Sequence, residues 1–218
     1  SCLEGVMTML KYGGKFDKKA YKTSGGLHGI GVKAVNFLSQ WCEVEVRRDG
    51  HVYQQEYERG KPTGEVTRIG AAESTGTKTT FKPDPEMFGS HKFDYNILVR
   101  RLQERAFLNR GVRIKFRDKR SDDGEVFQYD KGIVHFVEHL NRASDSVHPV
   151  IYIQGDFDDV GLEVAFQYAN EYTENIHCYV NNINTTDGGT HLTGFRSALT
   201  RTLNNYGKKE NLFNSQLI

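Results

Sequence analysis

Residues 11–36, KYGGKFDKKAYKTSGGLHGIGVKAVN, gather most of the chemistry-bearing signals of the chain into one stretch. Glycines stand at Gly13, Gly14, Gly25, Gly26, Gly29 and Gly31. Glycine costs backbone entropy, so such a cluster calls for a reason, either positive φ or close approach of a ligand to the main chain. A helical pattern follows over Val32 to Trp41, with Val35, Leu38 and Cys42 spaced to share one face. A glycine-rich loop running into a helix presents free N–H groups, a setting that suits phosphate. Lys15, Lys18, Lys19 and Lys22 add positive charge to the same loop.

Three phosphate-loop patterns compete for this stretch. A P-loop requires G-x-x-x-x-G-K-[ST]. Gly26 and Gly31 have the first spacing, but Lys33 comes one place late and no hydroxyl follows it to hold Mg²⁺. Gly29-Ile30-Gly31-Val32-Lys33-Ala34 fits the dinucleotide fingerprint, with an acidic candidate at Asp49. That motif must leave a buried strand directly, whereas a polar Lys- and Gly-rich segment precedes it here. The third pattern is G-x-x-G-x-G over Gly26 to Gly31, a lid closing on a triphosphate.

The elements around the stretch mix helix and strand. Ser1 to Leu10 carries a helical stripe, and Val44 and Val46 alternate with Glu43, Glu45 and Arg47 as in a half-buried strand. Asp49-Gly50 marks a hairpin, with Tyr53, Gln55 and Tyr57 on the returning strand. Thr77 to Phe81 is β-prone and stops at Pro83 and Pro85. Asp94 is an N-cap for a helix to about Leu108, which Gly111 ends. Val112, Ile114 and Phe116 alternate with Arg113, Lys115 and Arg117, and Val126 to Tyr129 returns after Asp123-Gly124. A helical stripe runs from Ile133 to Leu140; strands are expected at Val150 to Gln154, Leu162 to Tyr168 and Ile176 to Val180, and a helix opens at Asp187-Gly188-Gly189-Thr190. Polar residues 142–149, ending in Pro149, give the best domain boundary. This order predicts an α+β fold built on antiparallel hairpins, not a doubly wound sheet.

With 218 residues the chain is long enough for one or two domains with a real core. A net charge of +1 does not announce a nucleic-acid binder. No apolar run approaches the length of a membrane span, and no signal peptide is present. Cys2, Cys42 and Cys178 lack zinc spacing and read as buried thiols in a reducing cytoplasm. The chain opens on Ser1 within a helical stripe and stops on Leu217-Ile218, so an internal fragment of a longer protein is expected.

GGKF followed by YKTSGGLHGIGVKAVN resembles the ATP lid of the gyrase B family of type IIA topoisomerase ATPase subunits, part of the superfamily that includes histidine kinases and MutL. The resemblance extends to STGT at Ser74 to Thr77, AFLNRGVRIKFRDKR at Ala106 to Arg120, and NNINTTDGGTHLTGFRSALTRTLN at Asn181 to Asn204. NNIN with DGGTHLTGF is more similar to gyrase than to the related topoisomerase IV B subunits. The resemblance implies the C-terminal part of a Bergerat-type ATPase α/β sandwich at 1–141, a linker at 142–149, and the start of a ribosomal-protein-like α/β transducer domain at 150–218.

What the resemblance implies for residues follows motif by motif. Gly14 and Lys15, Tyr21, and Gly26, Leu27, His28, Gly29, Ile30 and Gly31 match the ATP-binding lid that wraps the β- and γ-phosphates. Lys15 would act as a point charge and Tyr21 as a hydroxyl donor; His28 is equally a lid-packing residue. Thr77 matches the threonine behind the adenine, though on local sequence it is an ordinary strand threonine. Arg48 matches the arginine at the pocket mouth where aminocoumarin inhibitors stack, and by itself is a solvated strand-end charge. The basic run Arg113, Lys115, Arg117, Lys119 and Arg120 either approaches DNA or forms a solvated face.

The family's general-base glutamate, its Mg²⁺-binding asparagine and its D-x-G-x-G motif have no counterpart in this chain, nor does its transducer lysine. No catalytic residue and no metal ligand is therefore assigned here, and ATP with Mg²⁺ enters as the cofactor that the resemblance implies. It further implies coupling of ATP hydrolysis to DNA strand passage and supercoiling in the cytoplasm. The implied partners are a gyrase A-type subunit in a two-plus-two assembly, a second copy of the gyrase B protein on ATP binding, and double-stranded DNA, with no membrane. The chain by itself is expected to be inactive. A topoisomerase IV B subunit and a non-hydrolysing nucleotide-responsive clamp are the alternatives, with a dinucleotide-dependent oxidoreductase behind them.

Overall fold

The structure, a computed structural model, describes residues 1–14, 29–90 and 92–213. Two compact units divide at Ser1–Phe93 and Asp94–Ile218.

The first unit sets two short helices on an antiparallel sheet. Helix α1 (Cys2–Thr8) begins at Ser1, whose hydroxyl accepts from the Glu4 N–H at 3.0 Å. Helix α2 (Gly31–Phe37) runs straight into β1 (Ser39–Arg48). Next come β2 (His51–Glu58), β3 (Lys61–Pro62), β4 (Thr67–Ala71), β5 (Gly76–Pro83) and the one-turn helix α3 (Pro85–Phe88). The order is β3-β2-β1-β5, with β4 also paired to β2. Arg48 faces His51 across a two-residue loop, and Asp49 and Gly50 have φ of 52° and 76°. Two consecutive positive φ values define the type I′ turn that the Asp-Gly pair predicts.

In the β1–β2 and β1–β5 registers, Cys42 stands opposite Tyr57 and Phe81, Val44 opposite Gln55 and Thr79, and Val46 opposite Tyr53 and Thr77. Directly opposed residues share a face, so these triplets form the inner surface of the sheet. Met7 of α1 closes on it, making a core of Met7, Cys42, Val44 and Tyr57 flanked by Leu3, Val32 and Val46. Burial pushes the Cys42 thiol and the Tyr57 hydroxyl above their ordinary values. On the other face Glu45 bonds Lys78, and Gln54 donates to Glu43. The alternation read from Val44 and Val46 is therefore the one that folds.

The helix expected over Val32 to Trp41 ends four residues early. Ser39 pairs with Pro83 and Trp41 with Lys82 in the β1–β5 ladder, while the Ser39 hydroxyl donates back to the Val35 carbonyl at 2.6 Å. Strand pairing thus takes residues whose local pattern suits a helix equally well.

In the second unit, α4 (Tyr95–Leu108) starts at Asp94, whose carboxylate accepts from the Ile97 N–H at 2.9 Å. The hairpin β6 (Ile114–Arg117) with β7 (Gly124–Phe127) leads to α5 (Ile133–Leu140). A second hairpin, β8 (Ile151–Phe157) with β9 (Val160–Phe166), is followed by the short pair β10 (Tyr179–Val180) and β11 (Ile183–Asn184) and by α6 (Thr190–Lys209). The strand expected at Ile176 to Val180 forms only at its last two residues. The polar segment 142–149 falls inside this unit, where Asn141 Nδ2 donates to Gln167 Oε1 at 2.9 Å and Gln167 Nε2 to the His148 carbonyl at 2.6 Å. Every strand pair among the described residues is antiparallel, which excludes a doubly wound sheet here and with it the dinucleotide-fold reading of Gly29 to Ala34.

Phe107 centres the second core. Its ring lies 3.8 Å from that of Tyr129 and 5.1 Å from that of Phe136, with His139 at 5.3 Å. Burial, and then the Arg142 charge, lower the His139 pKa. The unfolded chain therefore takes up this proton first as pH falls through the ordinary histidine range near 6.5. Stability contributed by neutral His139 is complete above that range and is lost below it. Thermal melts between about pH 7.5 and 5.5 show a fall that His139→Leu reduces. An equal fall in both proteins would place the acid sensitivity elsewhere.

Candidate functional site

The glycine-rich stretch is described at its two ends. Gly14 lies exposed after α1, while Gly29, Ile30 and Gly31 lead into α2. Gly29 has φ of 59°, the left-handed region in which a side chain is strained. Ile30 is exposed and takes the N-cap position without any side-chain cap hydrogen bond, so this helix start offers N–H groups of the kind a phosphate accepts from. Lys15, Tyr21, Gly26, Leu27 and His28 lie outside the described residues.

The two ends meet at Lys33, which the sequence reading weighs only as a late P-loop lysine. Lys33 is 2% exposed, and its ammonium donates to the Tyr12 carbonyl at 3.1 Å and the Gly29 carbonyl at 2.6 Å. One turn on, Asn36 is fully buried and its Nδ2 donates to the Met7 carbonyl at 3.2 Å. The buried face of α2 thus carries Lys33 and Asn36, not the expected stripe of Val35 and Leu38. Polar side chains can be buried there because carbonyls at and beyond the end of α1 accept from them. Val35 and Leu38 instead line an apolar groove of about 320 Å³ with Phe81, Phe88 and Phe93. The sequence signal that points to Lys33 is its own misfit, a lysine between Val32 and Ala34-Val35 in a short helix.

Thr77 sits in β5 directly across from Val46, and Arg48 lies two residues along β1 from Val46. Alternation therefore places Thr77, Val46 and Arg48 on one face, the face that carries the Met7 core. Thr77 is exposed there, and the Arg48 guanidinium makes an ion pair with neighbouring Asp49 at 3.4 Å. No described hydrogen bond joins Thr77 or Arg48 to the ends of the glycine-rich stretch.

The basic run is partly neutralised within its own hairpin. Arg117 bonds Asp122 at 3.0 Å and Arg120 bonds Asp118 at 2.9 Å, and the Arg120 guanidinium holds the Asp118 pKa down at about 2. Among the described residues no group of three or more His, Cys, Asp and Glu is placed to hold a metal ion. No described helix is long and apolar enough to cross a membrane.

Residues 132–217 match the family model described as DNA gyrase B. The DNA gyrase B protein of Thermotoga maritima is 49% identical over 97% of this chain, and the DNA topoisomerase 4 B protein of Bacillus subtilis is 46% identical over 94% of it. The chain spans about a third of the length of these curated relatives, 34% and 32%. Among solved structures, the 43K ATPase domain of Thermus thermophilus gyrase B, crystallised with an aminocoumarin, matches with a TM-score of 0.81 and 35% identity, covering 98% of this chain and 55% of that one. The B-subunit of the Myxococcus xanthus gyrase matches with a TM-score of 0.74 and 25% identity over 78% of this chain and 51% of its own. The antiparallel α+β architecture, the glycine-rich stretch entering α2 and these matches point the same way: over nearly its whole length the chain is similar to DNA gyrase B proteins.

Proposed function

We propose that this chain is the nucleotide-binding and transducing part of a type II DNA topoisomerase of the gyrase B kind, in which ATP hydrolysis is coupled to DNA strand passage and supercoiling. The observation that carries this reading is the backbone match to a gyrase B ATPase domain over nearly the whole chain. ATP supplies the γ-phosphate whose hydrolysis drives the cycle. The N–H groups of Gly14 and of Gly26 to Gly31 cradle the phosphates, with Lys15 as a point charge and Tyr21 as a hydroxyl donor. Thr77 reads the adenine from β5, and Arg48 flanks the pocket mouth. Residues 1–141 serve nucleotide binding and 150–218 transduction, joined through 142–149. The full-length protein works in the cytoplasm with a gyrase A-type subunit, a second copy of itself and double-stranded DNA. The general base and the Mg²⁺ ligands come from residues outside this sequence, so the 218-residue chain by itself releases no phosphate from ATP.

A titration of the full-length protein with ATP and with adenosine tests the assignment. Lys15→Ala weakens ATP more than adenosine, since only a phosphate contact is lost. Thr77→Val removes one hydroxyl at nearly constant shape and weakens both ligands by roughly 1–3 kcal/mol. Equal loss of both ligands on Lys15→Ala removes Lys15 from the phosphate site, and unchanged binding on Thr77→Val removes Thr77 from the base pocket. The identity to a topoisomerase 4 B protein supports a second reading, relaxation in place of supercoiling. Assay of the full-length protein with its A-type partner on relaxed plasmid separates the two, because only a gyrase introduces supercoils.

A further inference from the structure

Lys33 has an environment that its position in the helix does not require. A lysine on a short helix next to solvent ordinarily extends its stem along the surface and leaves the ammonium in water. Here the side chain turns inward until the residue is 2% exposed, and its ammonium rests on two main-chain carbonyls. Removing an ammonium from water is unfavourable unless its donors are satisfied, so the two bonds are a condition of its burial. Their partners, Tyr12 and Gly29, bracket the sixteen residues 13–28. Among the described residues no carboxylate pairs with this ammonium.

We infer that Lys33 is a positioning residue for phosphate recognition: by holding the Tyr12 and Gly29 carbonyls on one ammonium, it fixes the separation of the two ends of the glycine-rich stretch. The inference rests on the nucleotide-binding reading above. One shared donor sets the distance between the two described ends, so less entropy is lost when those ends take up a ligand. Gly14 and Gly29 to Gly31, the described residues assigned to phosphate, stand within two residues of a pinned carbonyl. Thr77, assigned to the base, lies in β5 and shares no bond with the pin. Lys33 acts through these neighbours and touches no ligand itself.

The test is a parallel ATP and adenosine titration of the full-length protein and its Lys33→Met and Lys33→Gln variants, with thermal melts of each. Met keeps the length of the side chain without donor or charge, and Gln keeps a neutral donor group on a shorter stem. Both variants are expected to melt cooperatively, to bind adenosine within about twofold of wild type, and to bind ATP on the order of tenfold more weakly. Unchanged ATP affinity in either variant overturns the inference. So does a parallel loss of ATP and adenosine, or loss of the fold, since either makes Lys33 a general structural residue. A wild-type protein that binds neither ligand sinks the nucleotide reading itself, which distinguishes that failure from a failure of the pin.

Discussion

Gly29→Val in the full-length protein removes ATP binding while the first unit keeps its fold. Gly29 has φ of 59°, and valine, branched at Cβ, is an outlier in that region. Holding it there costs about 1–3 kcal/mol. The alternative is a change to negative φ, which redirects the peptide whose carbonyl accepts from Lys33. Either route disturbs the same place, the entry of the glycine-rich stretch into α2, where the proposed phosphate cradle meets its pin. At roughly 1.4 kcal/mol per tenfold in affinity, strain at the upper end with loss of the cradle geometry puts ATP binding down by roughly a hundredfold or more. Gly29→Ala, unbranched, costs about 1–2 kcal/mol in the left-handed region and gives a smaller loss. Calorimetric titration ranks the three proteins. Wild-type affinity in the valine variant would remove Gly29 from the phosphate site, and a cooperative melt near that of wild type shows that the sheet is intact.

The largest stability effect is expected at Phe107 of the second unit. Its side chain is 2% exposed, and three rings, those of Tyr129, Phe136 and His139, pack against it. Truncation to alanine removes the ring from between α4 and α5 and leaves a cavity that these neighbours fill only in part. Phe→Ala at such a site costs about 3–5 kcal/mol. For a chain of this length that lowers the melting temperature by on the order of 10 °C. Phe107→Leu retains much of the volume and gives a smaller shift. A loss below about 1 kcal/mol on alanine substitution would mean that the aromatic stack does not hold this unit together.

Much of the local architecture was legible because short-range chemistry decides it. The Asp49-Gly50 turn requires two residues tolerant of positive φ, and both have it. Asp94 caps α4 as its side chain predicts, and α6 begins at Thr190 after Gly188-Gly189. The antiparallel α+β class followed from hairpin spacing alone. The family resemblance was legible too, since its motifs are contiguous runs whose order survives without any knowledge of contacts.

What the sequence could not settle were choices between partners far apart along the chain. Residues 38–41 satisfy a helical period and a strand period equally, and only pairing with β5, about forty residues later, assigns Ser39 and Trp41 to a strand. Composition makes the polar segment 142–149 a linker candidate, but it does not report that Asn141, just before it, bonds Gln167 twenty-six residues later. Lys33 looked like a misplaced P-loop lysine because its role depends on the Tyr12 carbonyl, twenty-one residues earlier. Turn and cap energies reside in a few consecutive residues and are written in them. The burial of a charge depends on whether the rest of the fold brings an acceptor to it, and that was decided only when α1 and α2 packed on the same sheet.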